Sequence, residues 1–286
     1  MSYSEHIADP HPSHIISVIM LTINRPQYIS SAIESVRKQT YGYWELIIVH
    51  DGSDNRITEA TQPWLVRDER IRYFHRENIG NIANGLNYGL KHSNGSFVAV
   101  LDDDDAWLNP RKLEMQVNCL NQNPQVACVG GGAIVVDNAG SEIMRYLKPL
   151  NPSECRAHAL LANPVIHSTV MFRRTAAAAV CFYDERLRGY QDWDLWLKIM
   201  QNGDVVNLPE YFATYRIWDG GGSSRNVMSN AWSGFRIVNR HRAHFPKYGL
   251  ALAAAVGYLL FSTMPTWIRK CSYQYLSKIK KHLFSN

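Results

Sequence analysis

The densest chemistry in this 286-residue chain is the stretch Leu101-Asp102-Asp103-Asp104-Asp105-Ala106-Trp107. Four adjacent carboxylates repel one another, and a soluble loop gains nothing from them unless something positive arrives. They follow Phe97-Val98-Ala99-Val100-Leu101, a short apolar run that reads as a buried strand. In extended chain the side chains alternate, which puts Asp102 and Asp104 on one face and Asp103 and Asp105 on the other. Asp-x-Asp at the carboxyl end of a strand is a hard-oxygen site for Mg²⁺ or Mn²⁺, held by one or two carboxylates plus the phosphates of a substrate. The plainer reading is a solvated acidic turn leading into a helix capped at Asn109-Pro110. A second acidic pair, Asp192 and Asp194, opens an apolar helix, where carboxylates are favoured at the positive end of the helix dipole whatever else they do.

The elements that must position these groups alternate along the first half. Ile15–Leu21 is a strand by composition, and Thr22-Ile23-Asn24-Arg25-Pro26 is a turn whose proline suits the first helical position. Ile29, Ile33 and Val36 follow at helical spacing. Trp44–Val49 is a second strand ending in the turn His50-Asp51-Gly52-Ser53-Asp54, with a helix to about Val66. Ile71–Phe74 is a third strand, Asn78–Lys91 a helical stretch, and Gly95 turns into the strand that delivers the aspartates. This alternation predicts an open, mostly parallel sheet, in which ligands sit beyond the carboxyl ends of the strands. The turns 22–26, 50–54 and 102–105 all lie there and can converge on one crevice.

The second half reads differently. Arg111–Leu120 is a helix, and Val126–Val136 is strand-like despite Gly130, Gly131 and Gly132. Asp137-Asn138-Ala139-Gly140 reads as a hairpin turn, His167–Arg173 alternates as a strand, and Asp192–Met200 is helical. Val205–Ile217 is strand and turn with Pro209 inside, and Trp218–Arg225 is a glycine-rich loop expected to move. No internal repeat is present. The expected division is a flexible N-terminus over 1–14, one domain over 15–226 and a helical extension over 227–286.

Composition narrows the partners. A net charge of +5 and the absence of any base-reading motif argue against a nucleic-acid binder. Five cysteines, an odd number without a C-x-x-C pair, read as reduced thiols rather than a disulfide frame or zinc site. The first fourteen residues are polar and carry no secretory signal, which predicts a cytoplasmic chain. The last twenty residues hold Arg269, Lys270, Lys278, Lys280 and Lys281 and no acid. Before them Tyr248–Ile268 is uncharged over 21 residues, long enough to span a bilayer but weakened by two glycines, Pro265, Ser262 and two threonines. It is read equally as a helix packed on the domain or lying in the interface, with the basic tail on anionic lipid at the inner face of the membrane.

Five ordered motifs carry a resemblance: SVIMLTINRP at 17–26, LIIVHDGSDN at 46–55, ENIGNIANGLNYGL at 77–90, FVAVLDDDDAWLNPRKL at 97–113 and GYQDWDLWLKI at 189–199. HSTVMFRR at 167–174 also fits. With these the chain resembles the inverting family 2 glycosyltransferases of the GT-A fold over roughly residues 15 to 218. That implies an α/β architecture, a Rossmann-like open mixed sheet flanked by helices with a helical C-terminal extension. It also implies a nucleotide-sugar donor, most often UDP-linked, and a glycan or lipid-linked glycan acceptor in bacterial surface-polysaccharide synthesis.

By the same resemblance Thr22, Asn24, Arg25, Asp51, Arg76, Asn78, Asp102 and Asp103 would line the nucleotide site. Asp102 and Asp104 would hold Mn²⁺ or Mg²⁺ on the diphosphate, because a divalent ion neutralises the departing anion without a proton. Asp192 matches the general base that takes the proton of the acceptor hydroxyl, with Asp194 as its competitor. Trp193 would wall the acceptor and Trp196 join the core. His167 is as readily structural as a site residue, and Arg216 and Arg225 would bring positive charge with the 218–225 loop. Plainer roles stand beside these: a capping turn residue for Asp51, and simple solvation for Arg76.

Four positions depart from the family pattern: His50 before Asp51, Leu86 before Asn87, Gln191 before Asp192, and Trp218 where many members place a metal- or phosphate-binding histidine. The last puts a third protein ligand to the metal in doubt. Rival readings are an aspartyl-phosphate phosphatase, which would carry its Asp-x-Asp after an early strand rather than the fourth, and a sugar-nucleotide nucleotidyltransferase, which would show a glycine-rich basic loop that LTINRP is not. A non-catalytic sugar-nucleotide or glycan-binding module is opposed by Asp192 beside a full Asp-x-Asp.

Overall fold

Strand β1 (Ile16–Thr22) is buried along its whole length, and its unbroken apolar run is what a strand covered on both faces requires. It pairs in parallel with β2 (Trp44–Asp51) on one side and with β4 (Phe97–Val100) on the other. The β2 strand pairs in parallel with β3 (Ile71–Arg76). Helices α1 (Pro26–Arg37), α2 (Asn55–Arg67) and α3 (Ile82–Lys91) make the crossovers. Alternation along β1 and β2 sorts the core into two layers. Ile19, Leu21, Ile47 and Val49 pack with Ala83, Leu86 and Leu90 of α3. Val18, Met20, Leu46 and Ile48 pack with Ile29, Ile33 and Val36 of α1. Helices therefore cover both faces of the sheet. The computed structural model describes residues 15–76, 80–217, 227–266 and 269. The expectations for 1–14, for Asn78, Trp218 and Arg225, and for the basic tail past Arg269 lie outside the described residues.

Beyond β4 the sheet is no longer all parallel. Its order is β3-β2-β1-β4-β8-β6-β9-β5, with β8 at Met171–Arg173, β6 at Val126–Val136, β9 at Asp204–Arg216 and β5 at Ala106–Trp107. The β7 strand (Glu142–Tyr146) hangs from β6 through the turn at Gly140, whose φ of +85° suits glycine. Contacts of β8 with β4 and β6, and of β5 with β9, are antiparallel, although β6 and β9 pair in parallel, so the nine-stranded sheet is mixed. Chain order reverses between β1 and β4, the place where ligands bind in open α/β sheets, and Thr22 and the aspartates stand at the ends of those two strands.

Three sequence expectations change. Residues His167–Arg173 are not one strand: His167–Thr169 is a single 3-10 turn before β8. The Thr169 hydroxyl donates to the Ile166 carbonyl at 2.7 Å, a local bond that competes with the sheet ladder. The cap of α2 is Asp54, not Asp51: Asp54 accepts from the Arg56 amide, and Asp51 is the last residue of β2. The uncharged 248–268 stretch is not one long helix. After α4 (Lys112–Gln122), α5 (Pro152–His158), α6 (Arg174–Ala178) and α7 (Gln191–Ile199), the chain ends its described part in α8 (Val227–Arg240) and α9 (Tyr248–Thr263). The 16 residues of α9 stop short of Pro265, a length of about 24 Å at 1.5 Å per residue against a hydrocarbon core of about 30 Å. Among the described residues no helix is long and apolar enough to cross a membrane. Helix α9 lies on α8, with Ala251 buried and the Tyr248 hydroxyl donating to Asn239 Oδ1 at 2.9 Å.

Candidate active site

The four aspartates form a closed turn, not an extended alternating strip. The Asp105 amide donates to the Asp102 carbonyl at 3.1 Å, and the Asp102 amide donates to Ser168 Oγ at 3.2 Å. This sends the carboxylates three ways. Asp105 turns inward and accepts from Ser168 Oγ and from the Arg216 amide. Asp103 and Asp104 both pair with the guanidinium of Arg25. Asp102 faces Nδ1 of His167 at 3.3 Å.

The turn is held from behind. The Trp107 indole donates to the Ser168 carbonyl at 2.8 Å. Lys112 lies 4.0 Å over the Trp107 ring and donates to Gln116, and Gln116 donates to the carbonyls of Val129 and Thr169. Burial holds the Lys112 amine well below its usual range. Arg216 donates through Nε to the Asp104 carbonyl at 3.2 Å and through Nη1 to the Asp137 carbonyl at 2.7 Å, and its guanidinium lies over Tyr28. Arg216 is thus engaged with the backbone of the turn.

Proton affinities differ across the turn in line with these partners. Burial, then repulsion from Asp102 and Asp104, pushes Asp105 well above the carboxylate range. Burial pushes Asp103 up to about 7, with Asp104 adding to the rise and Arg25 opposing it. Burial would raise Asp102 too, but the charge and hydrogen bond of His167 outweigh it and hold that carboxyl low. Burial opposes charge on His167, and Asp102 overcomes this and raises it. Arg25 is likewise raised against burial, by Asp103 and Asp104. Arg25 and His167 are thus the positive partners set against these carboxylates.

The ends of the parallel strands supply a second set. Register places Thr22 against His50 and Asp51 against Arg76. Arg76 Nε lies 3.7 Å from Asp51 Oδ1, and the Arg76 side chain is only 8% exposed, so it is a wall of the site and not a solvated surface charge. Thr22 is buried beside Asp103, and Asn24 is exposed in the turn before Arg25. A Cβ at Gly52 would strike the Ile23 carbonyl, so the 50–54 turn can close on the 22–26 turn only with glycine there. His50 stacks on His75 at 4.6 Å and meets the Tyr73 hydroxyl at 2.7 Å. Burial, then His75, lowers its proton affinity, so it adds no charge where the family pattern has an acid.

Helix α7 begins after Tyr190, which is left-handed at φ 56°. Asp192 accepts from Asn163 Nδ2 at 2.6 Å. Asp194 is fully buried and is met by Lys198, Arg240 and His241 at 3.3, 2.8 and 3.0 Å. Burial would raise its carboxyl, but His241, Lys198 and Arg240 together hold it low. Asp194 is therefore an anchor between α7 and α8. Trp193 is partly buried and donates to the Ala159 carbonyl at 2.7 Å, and Trp196 is fully buried against Phe172.

His167 and two tyrosines connect the halves. The Tyr183 hydroxyl meets His167 Nε2 at 3.2 Å. Burial raises the Tyr183 phenol, then Asp192 and Asp102 raise it further. Tyr215 is raised by burial and feels Asp105, Asp102 and Asp192. His167, Tyr183 and Tyr215 thus lie within electrostatic reach of both the acidic turn and Asp192. Sequence reading missed Asn163, Tyr183 and Lys148, whose ammonium feels Asp192. None of these stands in a motif, and only the fold brings them to Asp192.

Among the described residues no three His, Cys, Asp or Glu side chains gather into a protein-only metal cage. The donor set fits a different kind of site, in which one or two carboxylates share Mg²⁺ or Mn²⁺ with substrate phosphates. Asp102 has a side chain 38% exposed toward such a ligand, and Asp104 holds Arg25 as its present counter-charge.

Residues 17–180 match the family model "Glycosyl transferase family 2". An uncharacterized glycosyltransferase of Rickettsia felis is 34% identical over 194 residues, covering 65% of this chain and 31% of its own length, so the chain spans about a third of that relative. The UDP-Glc:alpha-D-GlcNAc-diphosphoundecaprenol beta-1,3-glucosyltransferase WfgD of Escherichia coli is 30% identical over 221 residues, covering 76% of this chain and 81% of WfgD. The mannosyltransferase PcManGT from Pyrobaculum calidifontis, solved with GDP-Man and Mn²⁺, superposes with a TM-score of 0.65 at 16% identity over 94% of this chain and 82% of that one. That superposition identifies the mixed sheet with its flanking helices as the GT-A fold. The chain belongs to glycosyl transferase family 2.

Proposed function

We propose that the chain transfers a sugar from a nucleotide-sugar donor, UDP-linked by preference, to a hydroxyl of a glycan or lipid-linked glycan acceptor, with inversion, in polysaccharide synthesis. The observation that carries this is the link between the two acidic groups: Asp102 faces His167 at 3.3 Å, His167 meets the Tyr183 hydroxyl at 3.2 Å, and His167, Tyr183 and Tyr215 feel both Asp102 and Asp192. WfgD, by its name, uses UDP-Glc and a diphosphoundecaprenol acceptor, which supports both the donor class and the lipid-linked acceptor.

In this reading Thr22, Asn24, Asp51 and Arg76 take the nucleoside, and Arg25, Asp102, Asp103 and Asp104 the diphosphate end. Asp192 accepts the acceptor's hydroxyl proton as that oxygen bonds to the anomeric carbon and the carbon–diphosphate bond breaks. The Asn163 amide orients the Asp192 carboxylate by donating to one oxygen, which leaves the other for the proton. Mg²⁺ or Mn²⁺, when held by Asp104 and Asp102, neutralises charge on the departing diphosphate.

The same reading divides the chain into a catalytic domain over 15–226 and a C-terminal extension over 227–286, and places it in the cytoplasm at the inner face of the membrane. Support for the membrane contact comes from Leu250, Val256 and Leu260 of α9 and from Met264 just after it, which are exposed, and from the basic residues that follow in sequence. Release of the nucleoside diphosphate from UDP-, dTDP- and GDP-sugars, without and with acceptor, tests the function. A chain that releases none with any donor, although it binds nucleotide, would be a binding module.

A further inference from the structure

The turn Tyr183-Asp184-Glu185 sends three consecutive side chains to three parts of the site. Tyr183 meets His167. Asp184 pairs at 2.8 Å with Arg240, which also holds Asp194 of α7. Glu185 is taken up by the asparagines of α3. Asn84 Nδ2 donates to Glu185 Oε2 at 2.7 Å, Asn87 Nδ2 to Oε1 at 2.9 Å, and Asn81 Nδ2 to the Glu185 carbonyl at 2.6 Å. These asparagines recur every three residues along one side of the helix start. The turn is preceded by Cys181 and Phe182, both left-handed at φ 61° and 55°, a conformation that side-chain-bearing residues rarely adopt and that the surroundings must impose.

The consequence falls on Arg76. An ionised carboxylate only accepts, so Glu185 compels Asn84 to present its Nδ2. The Asn84 Oδ1 then faces the other way, where it accepts from Arg76 at 2.6 Å. Arg76 is held in that position beside Asp51 and over the Tyr88 ring at 4.5 Å. Without Glu185 the amide is free to turn, and its donor end would then oppose the guanidinium.

We propose that Glu185 is a positioning residue for the nucleotide end of the site: it fixes the Asn84 amide, which holds Arg76 against Asp51. The inference rests on the reading that Asp51 and Arg76 take the nucleoside. Glu185 itself is exposed, so its loss removes orientation more than stability.

The test is calorimetry of UDP, GDP and dTDP with Mn²⁺ on the full chain, with donor hydrolysis run in parallel. Glu185→Ala should weaken the nucleotide that wild type binds about tenfold, the loss of roughly one hydrogen bond to a charged group. Donor KM should rise with kcat within about twofold, and Glu185→Gln, which keeps one acceptor oxygen, should recover part of the affinity. Asn84→Ala should lose as much as Glu185→Ala, and the double variant no more than either, because both act through one contact. Unchanged affinity in Glu185→Ala would overturn the inference, as would additive losses in the double variant. A fall in affinity that follows a collapse in Tm for both Glu185 variants would also overturn it. A wild-type chain that binds none of the three nucleotides removes the nucleotide reading itself, and this inference with it.

Discussion

Asp192 and Asp194 share the first turn of α7 and face opposite ways. Two positions on a helix are separated by about 200°, so one carboxylate reaches Asn163 and the crevice while the other is driven into α8. The two can be separated by experiment. Asp192→Asn should keep donor affinity and cut turnover by about two to four orders of magnitude, the range for losing a general base. Asp194→Ala removes the buried carboxylate that Lys198, Arg240 and His241 share and should destabilise the fold by about 3–5 kcal/mol, read by denaturant unfolding. A dead but stable Asp194→Asn beside a near-normal Asp192→Asn would reverse the assignment.

Arg25 is the counter-charge of Asp103 and Asp104. Binding of a nucleoside diphosphate should therefore require Mn²⁺ or Mg²⁺, which supplies the further positive charge that phosphates can share. Calorimetry with UDP in Mn²⁺ and in EDTA checks this, and Asp104→Ala should abolish the difference with the fold intact. Arg25→Ala leaves two buried carboxylates without their partner and should lower Tm. Mn²⁺ alone should then raise Tm more in the variant than in wild type. Equal UDP affinity in EDTA would contradict the metal requirement.

Asp184 gives the pH dependence. Hydrogen bonds from Arg186, then Arg240, hold its carboxyl far below the ordinary range. The unfolded chain binds that proton more readily, so this contribution is present above about pH 4 and is lost as pH falls from there through the lower folded value. Asp184→Asn should be less stable than wild type at pH 7, and the gap should narrow below pH 4. Urea midpoints at pH 7, 4 and 3 measure it. A gap of constant size would show that the charge is not what Asp184 contributes.

The extension should bring the chain partly to membranes. Helix α9 is too short to span, yet Leu250, Leu260 and Met264 are exposed, and the tail after it is basic. Electrostatic attachment to anionic lipid is screened by salt, whereas insertion is not. Flotation with anionic vesicles should find the chain bound at low salt and mostly released at high salt. Removal of residues 269–286 should free it without changing UDP binding. Retention through a carbonate wash would mean that the apolar face of α9 inserts.

What the sequence determined by itself was whatever depends on neighbours along the chain. The apolar runs of β1, β2 and β4 were legible because strands buried on both faces need them, and the motif order pointed to the family because each motif is a continuous stretch of chain. What only the tertiary structure decided were relationships across the chain. Four aspartates read as an alternating strip became a closed turn because Ser168 and Arg216, distant in sequence, bind its inner carboxylate. His167–Thr169 left the strand pattern through a side-chain bond to its own backbone. Asp192 and Asp194 look alike in sequence, and only the packing of α8 against α7 shows that Asp194 is the buried anchor. Arg76, read as a nucleotide-site residue with simple solvation as the plainer alternative, is held by Asn84, which is itself held by Glu185. Local periodicity reports which residues are buried. Charge pairing and amide orientation are settled by whichever element arrives opposite, and the linear sequence does not record which one that is.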